Sequence, residues 1–168
     1  MKLSRRTDYA LRAITYLSVR QGNGPCSIAE IAGAEKIPRE FTAKVLKELC
    51  RTGFIRSRLG PHGGYRLAKS PDEMTVLEIM EALDGPLAIN DCLAEPQFCG
   101  QTPGCRMHRL FRRVNDSMKE ILGKTTVAEI ARSEAFQVLH IESLHADEHN
   151  KTSAPDESAA VSPIAGNV

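Results

Sequence analysis

The sequence has no long apolar segment. Its 168 residues contain no run of 18 apolar residues, and the opening residues MKLSRR include no apolar stretch of signal-peptide length. We therefore expect a soluble, cytoplasmic protein that does not bind membranes. Hydrophobic residues make up 42% and charged residues 26% of the chain, which is a globular composition. The length suits one ordinary domain, or a small domain with a dimerisation arm.

The sequence also has no arrangement typical of an activated nucleophile. Ser4 and Ser27 occupy helix-capping positions, while His140, His145 and His149 lie in or near a polar C-terminal segment. We therefore predict that the protein is not an enzyme.

The net charge of +1 conceals a strong asymmetry along the chain. Residues 1–70 carry a net charge of +9, whereas residues 71–140 and 141–168 each carry −4. A basic segment of this size favours a polyanionic partner, such as double-stranded DNA. The alternative is a solvated basic surface without a partner.

The first 70 residues have the pattern of a winged helix-turn-helix domain. Apolar spacing and capping residues predict three helices: Ser4–Val19, a short helix from the Ser27/Glu30 capping box to about Gly33, and Pro38–Arg51. Alternating residues predict a hairpin with strands Phe54–Leu59 and Tyr65–Ala68 around a glycine-rich turn at 60–64. We therefore expect a mainly α protein with a small β-hairpin wing.

In such a domain the later helix enters the major groove and the wing follows the DNA backbone. Arg39 and Thr42 lie in the first turns of that helix and are expected at base edges. The phosphate contacts are expected from Lys44, Lys47, Arg56, Arg58 and Arg66, with Gly63 and Gly64 at the wing tip. The alternative for each basic side chain is an exposed charge that contacts nothing.

Residues 71–140 are predicted to hold a dimerisation unit. A Thr75/Glu78 capping box opens a helix that ends at Asp84, and a cysteine-rich loop spans about 86–106. A long helix from Met107 to Gly123 then carries one apolar seam: Met107, Leu110, Phe111, Val114, Met118, Ile121 and Leu122. The seam favours a partner subunit, hence a homodimer, over packing within one chain. A last helix begins at the Thr126/Glu129 capping box, and residues 141–168 have the composition of a disordered tail.

The loop carries three thiols and an imidazole within 17 residues, in the pattern Cys92-x6-Cys99-x5-Cys105-x2-His108. An odd total of five cysteines without a secretion signal argues against a disulfide framework and for free thiols or a metal. The spacing is wider than that of zinc knuckles and suits an iron–sulfur cluster, whose thiolate ligands surround an inorganic core. Zinc and unligated cysteines remain the alternatives. Cys26 and Cys50 are expected to be small apolar packing residues.

Three motifs follow one another in order: TDYALRA at 7–13, GPHGGYRL at 60–67, and the three-cysteine loop. In this order they resemble the IscR/NsrR family of bacterial winged-helix regulators, which sense iron–sulfur status or nitric oxide. The resemblance covers about residues 1–140. It implies that Cys92, Cys99 and Cys105 bind the iron of a cluster.

The resemblance implies two candidates for the fourth ligand. IscR-like members use a histidine three residues after the last cysteine, which matches His108, and hold a 2Fe-2S cluster. NsrR-like members use an aspartate in the first helix of the partner subunit, which matches Asp8, and hold a 4Fe-4S cluster. The residues around Cys105 are more similar to the nitric-oxide group. One position departs from many relatives: Leu59 replaces the arginine that precedes the first wing glycine, and strand alternation sends Arg58 to the opposite face.

We therefore interpret the sequence as a homodimeric transcription regulator, a repressor, whose operator binding depends on an iron–sulfur cluster. One alternative is a cluster-free winged-helix regulator that senses a small molecule or a thiol oxidant. The other is a redox or metal-handling protein that does not act on DNA.

Overall fold

The computed structural model describes residues 3–60, 62–95 and 99–133, and the predicted tail at 141–168 lies outside this part of the chain. The described residues form seven α-helices, which are α1 (Arg5–Val19), α2 (Ile28–Glu35), α3 (Arg39–Arg51), α4 (Val76–Asp84), α5 (Asp91–Ala94), α6 (Arg106–Lys124) and α7 (Val127–Arg132). Strands β1 (Ile55–Arg58) and β2 (Gly64–Leu67) follow α3, and short 3-10 turns occupy Pro71–Glu73 and Thr102–Gly104. The mainly helical fold with one hairpin is the predicted one.

Helix starts agree closely with the capping signals. Ser27, Thr75 and Thr126 each accept a hydrogen bond from the backbone N–H three residues on, and the glutamate at that position bonds back to the cap. Ser4 caps α1 through the Thr7 N–H. These reciprocal bonds satisfy N–H groups that have no partner within a helix.

Three details differ from the predicted elements. Helix α2 continues past Gly33 to Glu35 and ends where Lys36 adopts the left-handed conformation, with φ of 53°. Pro38 precedes α3 as its cap and is not its first helical residue. The loop expected between α4 and α6 contains the short helix α5, whose N-cap residue Asn90 accepts a hydrogen bond from the Asp91 N–H through its side chain.

Helix α1 lies at the centre of the fold. It packs against α2 and α3 as well as against α4 and α7. Ala10, Ala13 and Ile14 are fully buried in an apolar cluster that also contains Leu46 of α3 and Ile79 of α4. Residues from both sides of position 70 therefore share one core.

The hairpin is antiparallel, with Arg56 opposite Arg66 and Arg58 opposite Gly64. A pair of backbone hydrogen bonds fixes it to the chain just before α2: Cys26 N–H donates to the Tyr65 carbonyl at 2.9 Å, and Tyr65 N–H donates to the Cys26 carbonyl at 2.8 Å. Gly64 permits this approach, because a Cβ atom there would lie 2.6 Å from the Cys26 carbonyl oxygen. The wing is therefore held rigidly at its base.

Helix α6 packs on α4 through a second, smaller apolar cluster. Met118 and Leu122 contact Val76, Met80 and Leu87 in this cluster. No helix in the described segments is long and apolar enough to span a membrane.

A polar network joins the first turn of α1 to the last residue of α4. The Asp84 carboxylate accepts hydrogen bonds from Ser4 Oγ at 2.7 Å, Thr7 Oγ1 at 2.6 Å and Arg6 Nη2 at 2.7 Å. Arg6 also donates to the Leu83 carbonyl. Burial alone would raise the pKa of Asp84, but the bonds from Ser4, Thr7 and Arg6 outweigh it and lower the pKa below its ordinary value.

We predict that Asp84→Asn lowers the free energy of unfolding by about 1 kcal/mol at pH 7, because it removes the charge that accepts these bonds. A lowered pKa in the folded state stabilises the protein above the ordinary value of 3.8, and this stabilisation is lost as the pH falls through the folded-state value. Urea unfolding at pH 7 and pH 3 should therefore show a difference between variant and wild type that shrinks on acidification. Asp116→Asn, an exposed change on α6, is the control. An Asp84→Asn difference that is equal at both pH values would contradict this interpretation.

Candidate nucleic-acid interface and cysteine loop

The exposed face of α3 is basic at its start and along its length. Arg39, Lys44 and Lys47 are all exposed. Phe41 stands among them, 50% exposed, with Lys44 Nζ 5.6 Å from its ring centroid and the Tyr9 ring edge-on at 6.2 Å. The structure thus presents an exposed aromatic ring beside a lysine in the first turns of the predicted recognition helix.

Thr42, which is predicted to contact base edges, is buried in the structure. Its side chain is only 1% exposed, and its hydroxyl donates to the Pro38 carbonyl at 3.3 Å. Thr42, Val45, Leu46 and Leu49 follow the i, i+3, i+4, i+7 spacing of one buried stripe.

The apolar residues of this helix, Phe41, Val45, Leu46 and Leu49, predict from the sequence that Phe41 is buried at the position that Thr42 takes in the structure. The helical spacing explains why Thr42 is the buried residue. Thr42 lies seven residues, or about two turns, before Leu49 and so shares its face of the helix, whereas Phe41 lies one position earlier and is turned away from that face. Phe41 is the surface residue that the prediction missed, and an exposed apolar side chain in a recognition helix can contact a thymine methyl group.

The wing presents three exposed arginines, Arg56, Arg58 and Arg66. Arg56 and Arg58 are two residues apart on β1, and Arg66 pairs with Arg56, so all three lie on one face of the hairpin. Leu59, at the start of the turn, is 95% exposed. Gly63 and Gly64 have a structural reason to be glycine, since a Cβ atom on Gly63 would lie 2.2 Å from the Arg58 carbonyl oxygen.

The cysteines of the loop are half-buried free thiols. Cys92 lies within α5, and Cys105 caps α6, where its Sγ accepts a hydrogen bond from the His108 backbone N–H at 3.4 Å. Cys99 precedes the 3-10 turn, and its carbonyl accepts a bond from the Thr102 hydroxyl at 2.7 Å. Across the described residues, no three His, Cys, Asp or Glu side chains gather closely enough to hold one metal ion. The predicted convergence of the ligands is therefore not present in this conformation.

The donor groups nevertheless suit an iron–sulfur cluster in kind. Three thiols are free, and the His108 Nδ1 atom is buried without a hydrogen-bond partner in the described part of the chain. A buried imidazole nitrogen without a partner is costly, and a metal ligand is one of the roles that satisfies it. Asp8, the other candidate, has its carboxylate 3.4 Å from the Arg12 guanidinium on the same helix, and its side chain is 41% exposed.

The two remaining cysteines are packing residues, as predicted. Cys26 is 2% exposed, and Cys50 is half-buried against the core. Burial raises the pKa of both thiols, opposed in part by Arg20 at Cys26 and by Ser57 at Cys50. Raised pKa values favour neutral thiols, which are poor nucleophiles.

The start of the cysteine loop is anchored to α6 by Asn115, a buried polar residue that is 6% exposed. Its Nδ2 donates to the Leu87 carbonyl at 3.2 Å, and its Oδ1 accepts from the Ile89 N–H at 3.1 Å. Cys92 and Cys99 consequently lie between this anchor and the Cys105 cap of α6. The sequence pattern did not single out Asn115, since an asparagine on a helix is ordinarily a surface residue.

Helix α6 leaves part of its predicted seam uncovered. Met107, Leu110, Val114 and Ile121 are 51%, 49%, 43% and 64% exposed, while Met118 and Leu122 pack within the chain. The seam thus divides into an intramolecular edge and an exposed apolar edge.

Known proteins are similar to this chain in both sequence and fold. Residues 3–133 match the model of the Rrf2 family, described as iron-dependent transcriptional regulators. A protein of Aquifex aeolicus named as an HTH-type transcriptional regulator is 32% identical over 136 residues, which are 80% of this chain and 94% of that protein.

Two solved structures resemble the fold. CymR, titled the global cysteine regulator of B. subtilis, superposes with a TM-score of 0.67 at 27% identity and covers 78% of this chain and 96% of its own. IscR of T. potens has a TM-score of 0.63 at 22% identity and covers 92% of this chain and 93% of its own, a likeness of fold.

Proposed function

The chain belongs to the Rrf2 family and is a winged-helix, DNA-binding transcriptional regulator, not an enzyme; we propose that it is a homodimeric repressor whose operator binding depends on an iron–sulfur cluster held by its cysteine loop. The observation that carries the DNA-binding half is the basic surface shared by α3 and the wing. The observations that support the sensing half are the three free thiols of the cysteine loop and the His108 nitrogen that has no hydrogen-bond partner in the described part of the chain.

The proposed DNA contacts follow from exposure. Arg39 and Phe41, at the start of α3, are proposed to meet base edges, because the first turns of a recognition helix reach deepest into the major groove. The phosphate contacts are proposed from Lys44, Lys47, Arg56, Arg58 and Arg66, each exposed. Gly63 and Gly64 shape the wing tip that follows the backbone.

The exposed apolar edge of α6 supports a homodimer. Four large apolar side chains on one helix are exposed to water, which is unfavourable in free energy unless a partner covers them. A second copy would also place two α3 helices on one duplex, at half-sites about 34 Å apart.

The proposed cluster ligands are Cys92, Cys99 and Cys105, with His108 or the Asp8 of a second subunit as the fourth. A bound cluster, 2Fe-2S or 4Fe-4S, supplies iron that reacts with oxidants and with nitric oxide. The chain itself provides a segment held at both ends, by Asn115 and by the Cys105 cap, in which ligation reduces the freedom of the residues between. Because α6 carries both the loop anchor and the exposed apolar edge, a change in the loop acts on the dimer interface.

A second candidate function is a cluster-free regulator that responds to thiol chemistry. It is favoured by the separation of the three thiols in the described conformation and by the likeness to CymR, a structure titled as a cysteine regulator. In this alternative the thiols of Cys92, Cys99 and Cys105 respond to an oxidant directly.

For DNA binding, we predict a slope of log K against log salt of roughly −5, which corresponds to about six phosphate contacts per dimer, or about three of the five proposed side chains in each subunit. Lys47→Ala should weaken binding to all sequences alike and reduce the slope by about 1 per subunit, whereas Arg39→Ala should relax base preference by about 1–3 kcal/mol. Fluorescence anisotropy on a duplex selected from a random library, and on a scrambled duplex, measures both effects. Arg112→Ala, an exposed charge on α6, should behave as wild type. A wild-type slope near zero would rule out phosphate-driven binding.

For the cysteine loop, we predict that anaerobically purified protein absorbs in the visible range and contains iron and acid-labile sulfide. Replacing Cys92, Cys99 or Cys105 by Ala should abolish the absorption, while Cys50→Ala, the matched control, should keep it. The spectrum should change in only one of His108→Ala and Asp8→Ala, which identifies the fourth ligand. Wild-type protein without iron and sulfide, but with DNA affinity that changes on thiol oxidation, would establish the cluster-free alternative.

A further inference from the structure

A groove of about 440 Å³ lies between the end of α1, the connection to α2 and the wing. Four arginines line it: Arg20, Arg56, Arg58 and Arg66. Its other lining residues are neutral, so the groove contains no carboxylate that offsets the four positive charges.

The arrangement of these charges is unfavourable without an anion. Arg56 lies directly opposite Arg66 in the antiparallel register, and Arg58 lies two residues further along the same face. Like charges opposite one another in a hairpin destabilise it. Within the described residues none of these three arginines forms a salt bridge, so no protein carboxylate relieves the repulsion.

Arg20 adds a buried donor atom, although its guanidinium also interacts with the Cys26 thiol. Its Nε atom is buried and has no hydrogen-bond partner in the described part of the chain. A buried donor of this kind costs free energy comparable to a lost hydrogen bond. The planar guanidinium presents its N–H groups in a fork that matches the oxygens of a phosphate group.

The frame around the groove is rigid. The reciprocal backbone bonds between Cys26 and Tyr65 join its two walls. Gly22 and Gly24, with φ of 97° and 92°, form the turn at its edge and have no atoms crowding their Cα positions. The backbone that carries the four arginines is thus fixed around one open space, which lowers the entropy cost of binding.

We propose that this groove is a binding site for a phosphate-class oxyanion, with Arg20 as the donor at its base and Arg56, Arg58 and Arg66 around it. The anion is either a phosphodiester of DNA that runs beside the wing or a free phosphate compound. In the first case the site rests on the proposed function and extends the DNA contact surface to the end of α1. In the second case the winged-helix domain carries an effector site separate from the cysteine loop.

The test compares Arg20→Gln and Arg66→Gln with Arg112→Gln, which removes an equal charge from an exposed position outside the groove. In one arm, inorganic pyrophosphate is titrated against ¹⁵N-labelled full-length protein, and the Arg Nε–H signals are followed by NMR. In the other arm, DNA affinity is measured as a function of salt. The cross-peaks of the unliganded variants establish that each one is folded.

If the anion is a free phosphate compound, pyrophosphate should shift the Arg20 Nε–H signal of wild type and of Arg112→Gln. The affinity of the protein for pyrophosphate should be at least fivefold weaker in Arg66→Gln. If the anion is DNA, Arg20→Gln and Arg66→Gln should each reduce the salt slope by about 1 per subunit relative to Arg112→Gln. Either result supports the site and identifies the source. The proposal is overturned if Arg20→Gln has the same salt slope as Arg112→Gln and pyrophosphate leaves the Arg20 Nε–H signal of wild type unshifted, whatever the effect of Arg66→Gln. A loss of DNA affinity in Lys47→Ala alone would then leave the proposed function standing without this site.

Discussion

Helix α1 packs between helices from both halves of the described chain and thereby fixes their positions relative to one another. Ala10 and Ala13 are fully buried, and their small side chains allow neighbouring helices to approach closely. On one side α1 supports α2 and α3, and on the other it contacts α4 and α7. The Asp84 network adds a polar connection between the first turn of α1 and the end of α4.

This shared core limits how a signal can reach the DNA. A shift of α3 relative to α4 within one chain would disturb fully buried side chains such as Ile14, Leu46 and Ile79, and close-packed interiors resist such distortion. The exposed edge of α6 is not limited in this way. In the proposed homodimer we therefore expect regulation to change the relative position of the two subunits, whose recognition helices would have to match two half-sites, more than the shape of one subunit.

Local signals were sufficient to predict most of the fold. Capping boxes at Ser27, Thr75 and Thr126 mark helix starts because each depends on residues only three positions apart. The wing was predictable for the same reason. On α3 the sequence pattern predicts a buried Phe41 and an exposed Thr42, and the structure has the reverse. Neighbouring residues differ by only about 100° around a helix, so the apolar pattern alone does not decide which of the two faces the core.

The features missed in the candidate sites depend on contacts distant in sequence. Asn115 meets Leu87 and Ile89 only after α6 folds back on α4. Arg20 lies in the same groove as the wing arginines because the backbone hydrogen bonds between Cys26 and Tyr65 hold the wing beside the end of α1. The gathering of Cys92, Cys99 and Cys105 around one cluster stays a prediction from the sequence.

We propose that the state of the cysteine loop controls DNA binding. One anaerobic sample tests it, if its anisotropy on a library-selected duplex and its visible absorption are recorded together before and after addition of nitric oxide. We expect the affinity to change at least tenfold, or by about 1.4 kcal/mol, together with the change in absorption. Identical binding curves before and after a complete loss of the absorption would contradict it.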